Sequence, residues 1–305
     1  MGRLRRVHGA EVRRLAQRCI LGRSRACTIR LDDPDVSGEH ALLRWTGGVW
    51  ELQDLHSRNG TFVDRLRLAP GERTALVSGA VLGFGHPESF VLIDAEGPGM
   101  FAEPVGGGEP AEAQGGILAL PGPSAPELMV FRGAGCWLVE RGGATAEVAD
   151  GEVLRVDGGA WLLHLPEPLP QTAKSIVGAP HLDDLTLRFR VSRDEEYIEL
   201  VAVSEQGTID LKARSHHYTL LVLARARLRD QALAPEAQGW IHQSELLEQM
   251  RVDGSHLHIS IYRARQQLGE AGVVGAGRVV ERRPGTRQVR IGTAKLEILA
   301  LEQGK

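Results

Sequence analysis

The sequence predicts a multidomain protein with an all-β sandwich at the N-terminus, a β-rich segment in the middle and an α+β domain at the C-terminus. Three observations underlie this prediction. Short apolar runs broken by Gly, Asp and Asn fill residues 1–95, and Gly-rich turns separate further apolar runs within residues 127–166. Apolar residues take up a helical spacing only beyond residue 217. A chain of 305 residues is also too long for one ordinary core.

The composition is that of an ordinary soluble protein, with 42% hydrophobic residues, 25% charged residues and a formal net charge of -3. No run approaches the length of a transmembrane helix. The N-terminal residues have no apolar core of the kind found in signal peptides, so we expect a cytoplasmic protein that makes no membrane contact. Three cysteines without a CxxC pair exclude a cysteine zinc cluster and favour buried thiols.

The first domain is assigned to residues 1–95, where five short runs predict strands. These runs are Arg18–Leu21, Thr28–Leu31, Ala41–Trp45, Trp50–Leu55 and Phe90–Ile93. Short strands at regular spacing, separated by turn residues, are typical of a β-sandwich.

The next two segments differ in texture. Residues 96–126 are crowded with Gly, Pro and Ala, which predicts a linker with one short strand at Ile117–Leu120. Residues 127–180 predict a small β-rich segment. Its run Gly135–Glu140 echoes Gly48–Leu52 of the first domain, but Gly142-Gly143 stands where the first copy has Asn-Gly. We interpret this segment as a structural sheet or a degenerate half-repeat rather than a second ligand site.

Three short motifs stand in fixed order within the first domain, and an Asp-Leu pair precedes the last one. They are Gly22-Arg23, Ser37-x-x-His40 and Asn59-Gly60-Thr61, with Asp54-Leu55 before the last. In this order, and on a strand-rich background, residues 12–94 resemble a forkhead-associated (FHA) domain, a β-sandwich that binds phosphothreonine in partner proteins. The resemblance implies that the ligand is held by Arg23, Ser37 and Asn59, and that the loops are supported by Gly22, His40 and Gly60.

The chemistry of phosphothreonine fits these residue types. Its phosphate carries nearly two negative charges and three acceptor oxygens, which a guanidinium fork such as that of Arg23 can meet. The hydroxyl of Ser37 can donate a further hydrogen bond, and Asn59 can both donate to and accept from the main chain of a peptide. Arg58 stands where relatives commonly have a small hydroxyl residue. It either adds a second positive contact or points to solvent. The alternative for the whole domain is a sandwich that keeps the fold and lacks the binding.

The C-terminal domain is assigned to residues 181–305. Strand-like runs come first, at Leu185–Val191, Tyr197–Val203 and Gly207–Leu211. Three helices are expected within residues 213–227, 240–250 and 256–268, with Asp253, Gly254 or Ser255 as N-cap of the third. Residues 279–291 predict a hairpin around Pro284-Gly285-Thr286. Residues 185–292 resemble the winged-helix effector domain of two-component response regulators.

The resemblance implies that the third helix enters the major groove of duplex DNA while the hairpin, or wing, holds neighbouring phosphates. The third helix is expected to place Ile259, Tyr262 and Leu268 inward. Arg263 and Arg265 are expected to project outward. Residues 251–292 contain eight arginines and three acidic residues, a net charge of +5 that suits DNA docking. The predicted DNA contacts are His256, His258, Ser260, Arg263, Arg265, Arg282, Arg283 and Arg287.

Together these patterns predict a transcription regulator that reads phosphothreonine on a partner modified by a Ser/Thr kinase and binds duplex DNA. The alternative is a phosphoprotein adaptor whose basic helix contacts protein. No phosphate-cradling glycine loop and no GxSxG elbow is present, so we expect neither an enzyme nor a cofactor. The histidine pairs His216-His217 and His256-x-His258 lack cysteine or carboxylate partners at ligand spacing, so no metal is predicted. No pattern indicates an oligomeric state.

Overall fold

The computed structural model of the chain describes residues 1–133, 135–167 and 179–301. It divides into two compact units, Met1–Met100 with His164–Leu169 and Phe101–Leu163 with Pro170–Lys305. The parts of the predicted middle and C-terminal segments at 168–178 and 302–305 lie outside the described residues. Within the described ranges, no helix has both the length and the apolar character needed to cross a membrane.

The first β region, residues 3–94, consists of two sheets. Its strands are β1 (Arg3–Arg6), β2 (Val12–Arg14), β3 (Arg18–Gly22), β4 (Ile29–Arg30), β5 (Ala41–Trp45), β6 (Trp50–Asp54), β7 (Thr61–Val63), β8 (Leu66–Arg67), β9 (Arg73–Leu76), β10 (Val81–Phe84) and β11 (Phe90–Asp94). One sheet has the order β2-β1-β11-β10-β7-β8 and the other the order β4-β3-β5-β6-β9. All five predicted strands are present. Most strands missed from the sequence are short or charged and show no apolar run, whereas β10, with the sequence VLGF, is apolar and was missed as well.

Alternation along the strands builds the core of the first β region. In β6, Trp50, Leu52 and Asp54 are buried while the residues between them are partly exposed, as the period of two requires. Trp50 is fully buried, and its Nε1 donates to the carbonyl of Glu96 at 2.8 Å. A buried indole with its N–H satisfied is among the largest single contributions to such a core.

The second β region, residues 101–164, also consists of two sheets. Its strands are β12 (Phe101–Pro104), β13 (Ala111–Glu112), β14 (Ile117–Leu120), β15 (Leu128–Arg132), β16 (Trp137–Arg141), β17 (Ala144–Val148), β18 (Val153–Val156) and β19 (Gly159–His164). The sheet orders are β13-β12-β19-β18 and β14-β15-β16-β17. The short strand predicted at Ile117–Leu120 is confirmed. The linker prediction was otherwise wrong for residues 101–120, because Gly and Pro there punctuate turns between very short strands.

The second β region repeats the strand order of the first. Taken along the chain, β12, β13, β14, β15 and β16 correspond to β1, β2, β3, β5 and β6, and β17–β19 correspond to β9–β11. Among the described strands, β4, β7 and β8 have no counterpart. The registers agree as well: Trp50 begins β6 and pairs with Leu76, the last residue of β9, while Trp137 begins β16 and pairs with Val148, the last residue of β17.

The turn that follows β9 in the first region and β17 in the second is also shared. The amide of Gly79 donates to the carbonyl of Leu92 at 2.7 Å, and the amide of Gly151 donates to the carbonyl of Leu163 at 3.0 Å. Both glycines have positive φ, +92° and +76°. The echo in the sequence is therefore part of a repeat that spans eight strands rather than half a domain.

The C-terminal segment, residues 182–301, combines a four-stranded sheet with three helices and a hairpin. Its elements are β20 (Thr186–Val191), β21 (Ile198–Ser204), β22 (Gly207–Ala213), α1 (His217–Arg229), β23 (Ile241–His242), α2 (Gln243–Met250), α3 (Gly254–Glu270), β24 (Val280–Arg283), β25 (Gln288–Ile291) and β26 (Leu296–Ala300). The predicted strands, helices and hairpin are all present. β23 adds a third strand to the hairpin, and β26 pairs in parallel with β20. Asp253 is the N-cap of α3, where its carboxylate accepts from the amide of His256 at 2.8 Å.

Candidate functional site

Three loops of the first β region carry the predicted phosphopeptide-binding residues. Arg23 follows β3, Ser37 lies between β4 and β5, and Arg58 and Asn59 lie between β6 and β7. Hydrogen bonds from backbone amides join these loops. The Arg23 amide donates to the Ser37 carbonyl at 2.9 Å, and the Arg58 amide donates to Ser37 Oγ at 3.1 Å. The structure therefore brings all four predicted residues into one set of adjoining loops.

Gly22 permits the close approach of the first two loops. A Cβ at this position would overlap the carbonyl of Gly38 and would lie 2.9 Å from Cys27 Sγ. The neighbouring amide of Ser24 donates to the same Gly38 carbonyl at 2.9 Å. Any larger residue at position 22 would push the Arg23 loop away from the Ser37 loop.

His40 fastens the second loop to the third. Its Nδ1 accepts from the Ser37 amide at 3.1 Å, and its Nε2 lies 3.1 Å from the Gly60 carbonyl. These two contacts together require a neutral imidazole protonated at Nε2. His40 is fully buried, and this burial lowers its pKa although the hydrogen bond to Gly60 acts in the opposite direction. The supporting role predicted for His40 and Gly60 agrees with this geometry.

A buried carboxylate shapes the third loop. Asp54 accepts from Ser57 Oγ at 2.5 Å and from Thr61 Oγ1 at 2.7 Å, and Ser57 Oγ accepts in turn from the Gly60 amide at 3.1 Å. Burial alone would raise the pKa of Asp54, but the bonds from Ser57 and Thr61 outweigh it and lower the pKa. Sequence reasoning assigned no role to Ser57. The available signal was the Asp-x-x-Ser spacing of a side-chain-closed turn.

Two arginines of the site make no described polar side-chain contact with the rest of the protein. Arg23 and Arg58 are exposed, and among the described residues neither guanidinium has a hydrogen bond or an ion pair. Arg23 lines an open cleft of about 600 Å³ together with Ser24, Arg30, Asp32, Asp33, Pro34 and Gly38. Because Ser37 Oγ only accepts in the contacts described, its proton is available to a ligand. Two uncommitted guanidinium groups and one hydroxyl donor suit the doubly negative phosphate of a phosphothreonine.

The loop between β4 and β5 orients the side chain of Asn59. Its Nδ2 donates to the carbonyl of Asp35 at 2.9 Å and to the Asp35 carboxylate at 3.3 Å, which leaves Oδ1 to accept from a peptide N–H. Asp35 and Asp33 also lie 3.3 and 3.4 Å from His86 Nε2. These three side chains have the donor types of a metal site. Exposed acidic groups commonly cluster in this way without a bound ion.

The predicted DNA-contact residues fall into two groups. The exposed group comprises His256, Arg263, Arg283 and Arg287. The withdrawn group comprises His258, which is half-buried, Ser260, which is buried, and Arg265 and Arg282, whose side chains are 1% and 2% exposed. The expected outward projection of Arg265 was therefore wrong. Tyr262 and Leu268 are buried as expected, whereas Ile259 is only half-buried.

Arg265 is withdrawn because the second β region supplies it with an acid. Its Nη2 donates to Glu140 Oε2 at 2.8 Å and to the Val280 carbonyl at 2.9 Å. Its guanidinium also stacks 4.3 Å from the centre of the Phe131 ring. Arg282 Nη2 lies 2.9 Å from the other oxygen of Glu140. Although burial acts to raise it, the two guanidinium charges hold the pKa of Glu140 at about 2.

The paired histidines at the start of α1 serve the packing of the C-terminal segment. His216 Nε2 and His217 Nε2 each lie 2.8 Å from Gln267 Oε1, which can accept from both. Gln267 Nε2 donates to the Leu211 carbonyl at 2.6 Å. Burial lowers the pKa of both histidines, to about 4 for His216. Both rings are therefore neutral hydrogen-bond donors inside the protein.

Comparison with known proteins identifies the first β region. The FHA domain model matches residues 19–85, so the all-β FHA sandwich predicted for the N-terminus is confirmed. The chain is 42% identical over 72 residues to the FHA domain-containing protein FhaA of Mycobacterium tuberculosis, which is 24% of this chain and 13% of that protein. It is 34% identical over 68 residues to FhaB of the same species, 22% of this chain and 44% of that protein. The chain thus spans less than half of the length of these relatives.

Two solved structures are similar to part of the chain. EmbR of M. tuberculosis in complex with a low affinity phosphopeptide is 26% identical, with 32% of this chain and 25% of that chain covered and a TM-score of 0.29. A structure from a study of phosphothreonine-dependent FHA domain interactions is 34% identical, with 30% of this chain and 92% of that chain covered and a TM-score of 0.27.

Proposed function

We propose that this protein is a phosphothreonine-reading transcription regulator. Its FHA domain docks onto a partner modified by a Ser/Thr kinase, and its C-terminal segment is a winged helix that binds duplex DNA. The observation that carries the first half is that the guanidinium groups of Arg23 and Arg58 are uncommitted. Ser37 joins their loops, through its carbonyl to the Arg23 amide and through its hydroxyl to the Arg58 amide. Charge-assisted bonds from arginine to phosphate are about twice as strong as neutral hydrogen bonds.

The peptide-binding half is tested with a phosphothreonine peptide library, with unphosphorylated and phosphoserine libraries of the same composition beside it. Arg23→Ala should weaken binding of the phosphothreonine peptides by about 10- to 100-fold, since a hydrogen bond to a charged group is worth about 1.5–3 kcal/mol. Arg5→Ala is the matched control, because Arg5 is an exposed arginine in β1, which contributes no site residue. Equal losses in the two variants would mean that only net charge matters.

The winged-helix assignment rests on the order of elements and on the exposed charge. A capped helix, α3, is followed by the β24–β25 hairpin, and Arg263, Arg283 and Arg287 are exposed on these two elements or at the tip of the hairpin. A helix offers side chains to the major groove while a hairpin holds adjacent phosphates. Three exposed arginines on such a pair supply the sequence-independent part of DNA affinity.

A second candidate function has an observation of its own. Arg265 and Arg282, which were predicted to contact DNA, contact Glu140 of the second β region instead. A basic helix that already binds protein favours a phosphoprotein adaptor, in which the C-terminal segment contacts protein and never DNA.

The two candidates separate in a selection from a random duplex DNA pool at about 50 and 200 mM salt. The regulator enriches a recurrent motif, and its affinity falls steeply with salt. In Arg283→Ala/Arg287→Ala the salt slope should fall by about one for each phosphate that is no longer neutralised by an arginine. The control is Arg5→Ala/Arg193→Ala, which removes the same charge from exposed positions elsewhere. Absence of any motif and of salt dependence would leave the adaptor.

A further inference from the structure

We infer that the second β region is an internal competitor for DNA: its β14–β17 sheet binds α3 and β24 and occupies, through Glu140, the arginines that would otherwise hold DNA phosphates. This inference rests on the proposed DNA-binding function of the C-terminal segment. It assigns an interaction surface, and a partner for it, to a region that has lost the peptide-binding loops of an FHA domain.

The first support is burial on both faces of two strands of the sheet, β14 and β15. Every residue of β14 and the first four residues of β15 are buried, whereas β5 of the first β region alternates buried and partly exposed positions. One face, which includes Ile117, Ala119, Met129 and Phe131, belongs to the same buried apolar cluster as the core of the C-terminal segment. A strand is apolar on both sides only when both sides are covered.

Close backbone contact is the second support. Gly115 lies against α3 so tightly that a Cβ on Gly269 would overlap the Gly115 carbonyl. A Cβ on Gly277 would likewise lie 2.5 Å from the Phe131 ring. Gln266 Nε2 donates to Gln114 Oε1 at 2.8 Å. The C-terminal part of α3 and the residues just before the wing therefore lie in close contact with the second β region.

The chemistry of Glu140 is the third support. A carboxylate held by two guanidinium groups presents oxygens to them much as a DNA phosphate does, since arginine forks fit both anions. Glu140 thus stands in for a phosphate at Arg265 and Arg282. On opening, the two arginines exchange one anion for another, so their charges are neutralised in both states.

The internal complex is also short of negative charge, which makes exchange feasible. Two buried guanidinium groups share one carboxylate, and among the described residues the Nε atoms of Arg265 and Arg282 and Nε2 of His258 have no hydrogen-bond partner. Buried, under-paired cations are costly. Duplex DNA offers several phosphates where the sheet offers one carboxylate, so DNA competes on favourable terms.

Two variants of the full-length chain open the interface by different means. Glu140→Gln keeps the shape of the side chain and removes its charge. Gly269→Ala keeps all charges, clashes with Gly115 and improves the intrinsic helix propensity of α3. The matched control is Gly254→Ala, at the start of the same helix, where an added Cβ meets nothing within 4 Å. Affinity for a fluorescent random-sequence duplex is measured at about 50 mM salt, where screening between exposed charges is weak, together with hydrogen exchange of peptides from β15 and α3.

Competition predicts that both variants exchange faster in β15 and α3 and bind the duplex at least about tenfold tighter than the unmodified chain and Gly254→Ala. The gain in Glu140→Gln should disappear when Arg282→Ala is added, because Arg282 is one of the two arginines that Glu140 occupies. Faster exchange with unchanged DNA affinity in a chain that binds DNA would overturn the competition and leave the proposed function standing. Faster exchange with no DNA binding by any variant would instead sink the proposed function. Unchanged exchange and unchanged affinity in both variants would make the sheet a permanent part of the C-terminal fold and contradict the inference.

Discussion

The two β regions share a strand order and use it differently. The first has β4, β7 and β8, and the loops next to β4 and β7 hold Arg23, Ser37 and Asn59, of which Arg23 lines an open cleft. The second has none of these strands among its described residues. When β14 is aligned with the equivalent strand β3 by their pairing registers, Gly122 takes the position of Arg23. Its contacts are made by a sheet instead of by loops. The sheets are thus a scaffold that persists when the loop-borne site is lost.

The burial patterns state the same contrast in physical terms. β3 and β5 of the first region have one covered face and one partly exposed face. β14 and β15 of the second region are covered on both faces. The second region thus lacks the strands that flank the candidate peptide-binding loops, and its second covered face packs against the C-terminal segment of its own chain.

The largest expected effect comes from the two equivalent tryptophans. Trp50→Ala should lower the free energy of unfolding by about 3–5 kcal/mol, since it empties a fully buried indole site. Trp137→Ala should lower it by about 1 kcal/mol, because Trp137 is half-buried and stacks on Arg132 at 5.4 Å. Urea unfolding measures both values, and hydrogen exchange shows which β region opens. Equal losses of stability in the two variants would contradict the contrast between the closed core around Trp50 and the half-buried site of Trp137.

Acid should weaken the C-terminal segment more than the first β region. His216 and His217 are buried with lowered pKa values, whereas His40 is the one buried histidine of the first region's described residues. A histidine whose folded pKa is depressed stabilises the fold above its ordinary pKa near 6.5, and this stability is lost as the pH falls toward the folded value, about 4 for His216. Glu140, with a pKa of about 2, stays ionised throughout that range.

The pH dependence is measured as the free energy of unfolding between about pH 7.5 and pH 4.5, a range that covers most of this titration. His216→Gln should flatten it, because the glutamine can still donate to Gln267 and does not titrate. His256→Gln, at an exposed position of α3, is the control and should leave the slope unchanged. A slope as steep in His216→Gln as in the unmodified chain would contradict the assignment of acid sensitivity to the buried pair.

Local sequence patterns predicted the strands, helices and loop motifs better than they predicted which parts of the chain pack against one another. The FHA motifs lie in short loops of fixed spacing, so the position of Arg23, Ser37 and Asn59 in adjoining loops could be predicted, and the matching family model covers residues 19–85. The linker prediction failed because strands of two to four residues carry no periodic signal. The position of Arg265 failed for a different reason. Its helix is amphipathic when considered in isolation, and the acid that withdraws it lies 125 residues earlier in the chain.

The smallest effect tests the equivalence of the two regions most directly. Gly79→Ala and Gly151→Ala should each cost about 1 kcal/mol, because both residues have positive φ and an added Cβ meets nothing within 4 Å at either position. The cost is then the strain of the backbone alone, which equivalent turns must share. Gly48→Ala is the control, since Gly48 has open space and no positive φ, and it should be neutral or slightly stabilising. Urea unfolding resolves differences of this size. Unequal losses in the free energy of unfolding at positions 79 and 151 would show that the two turns differ in backbone strain although they share a hydrogen bond. The two β regions would then differ in their turns as well as in their peptide-binding loops.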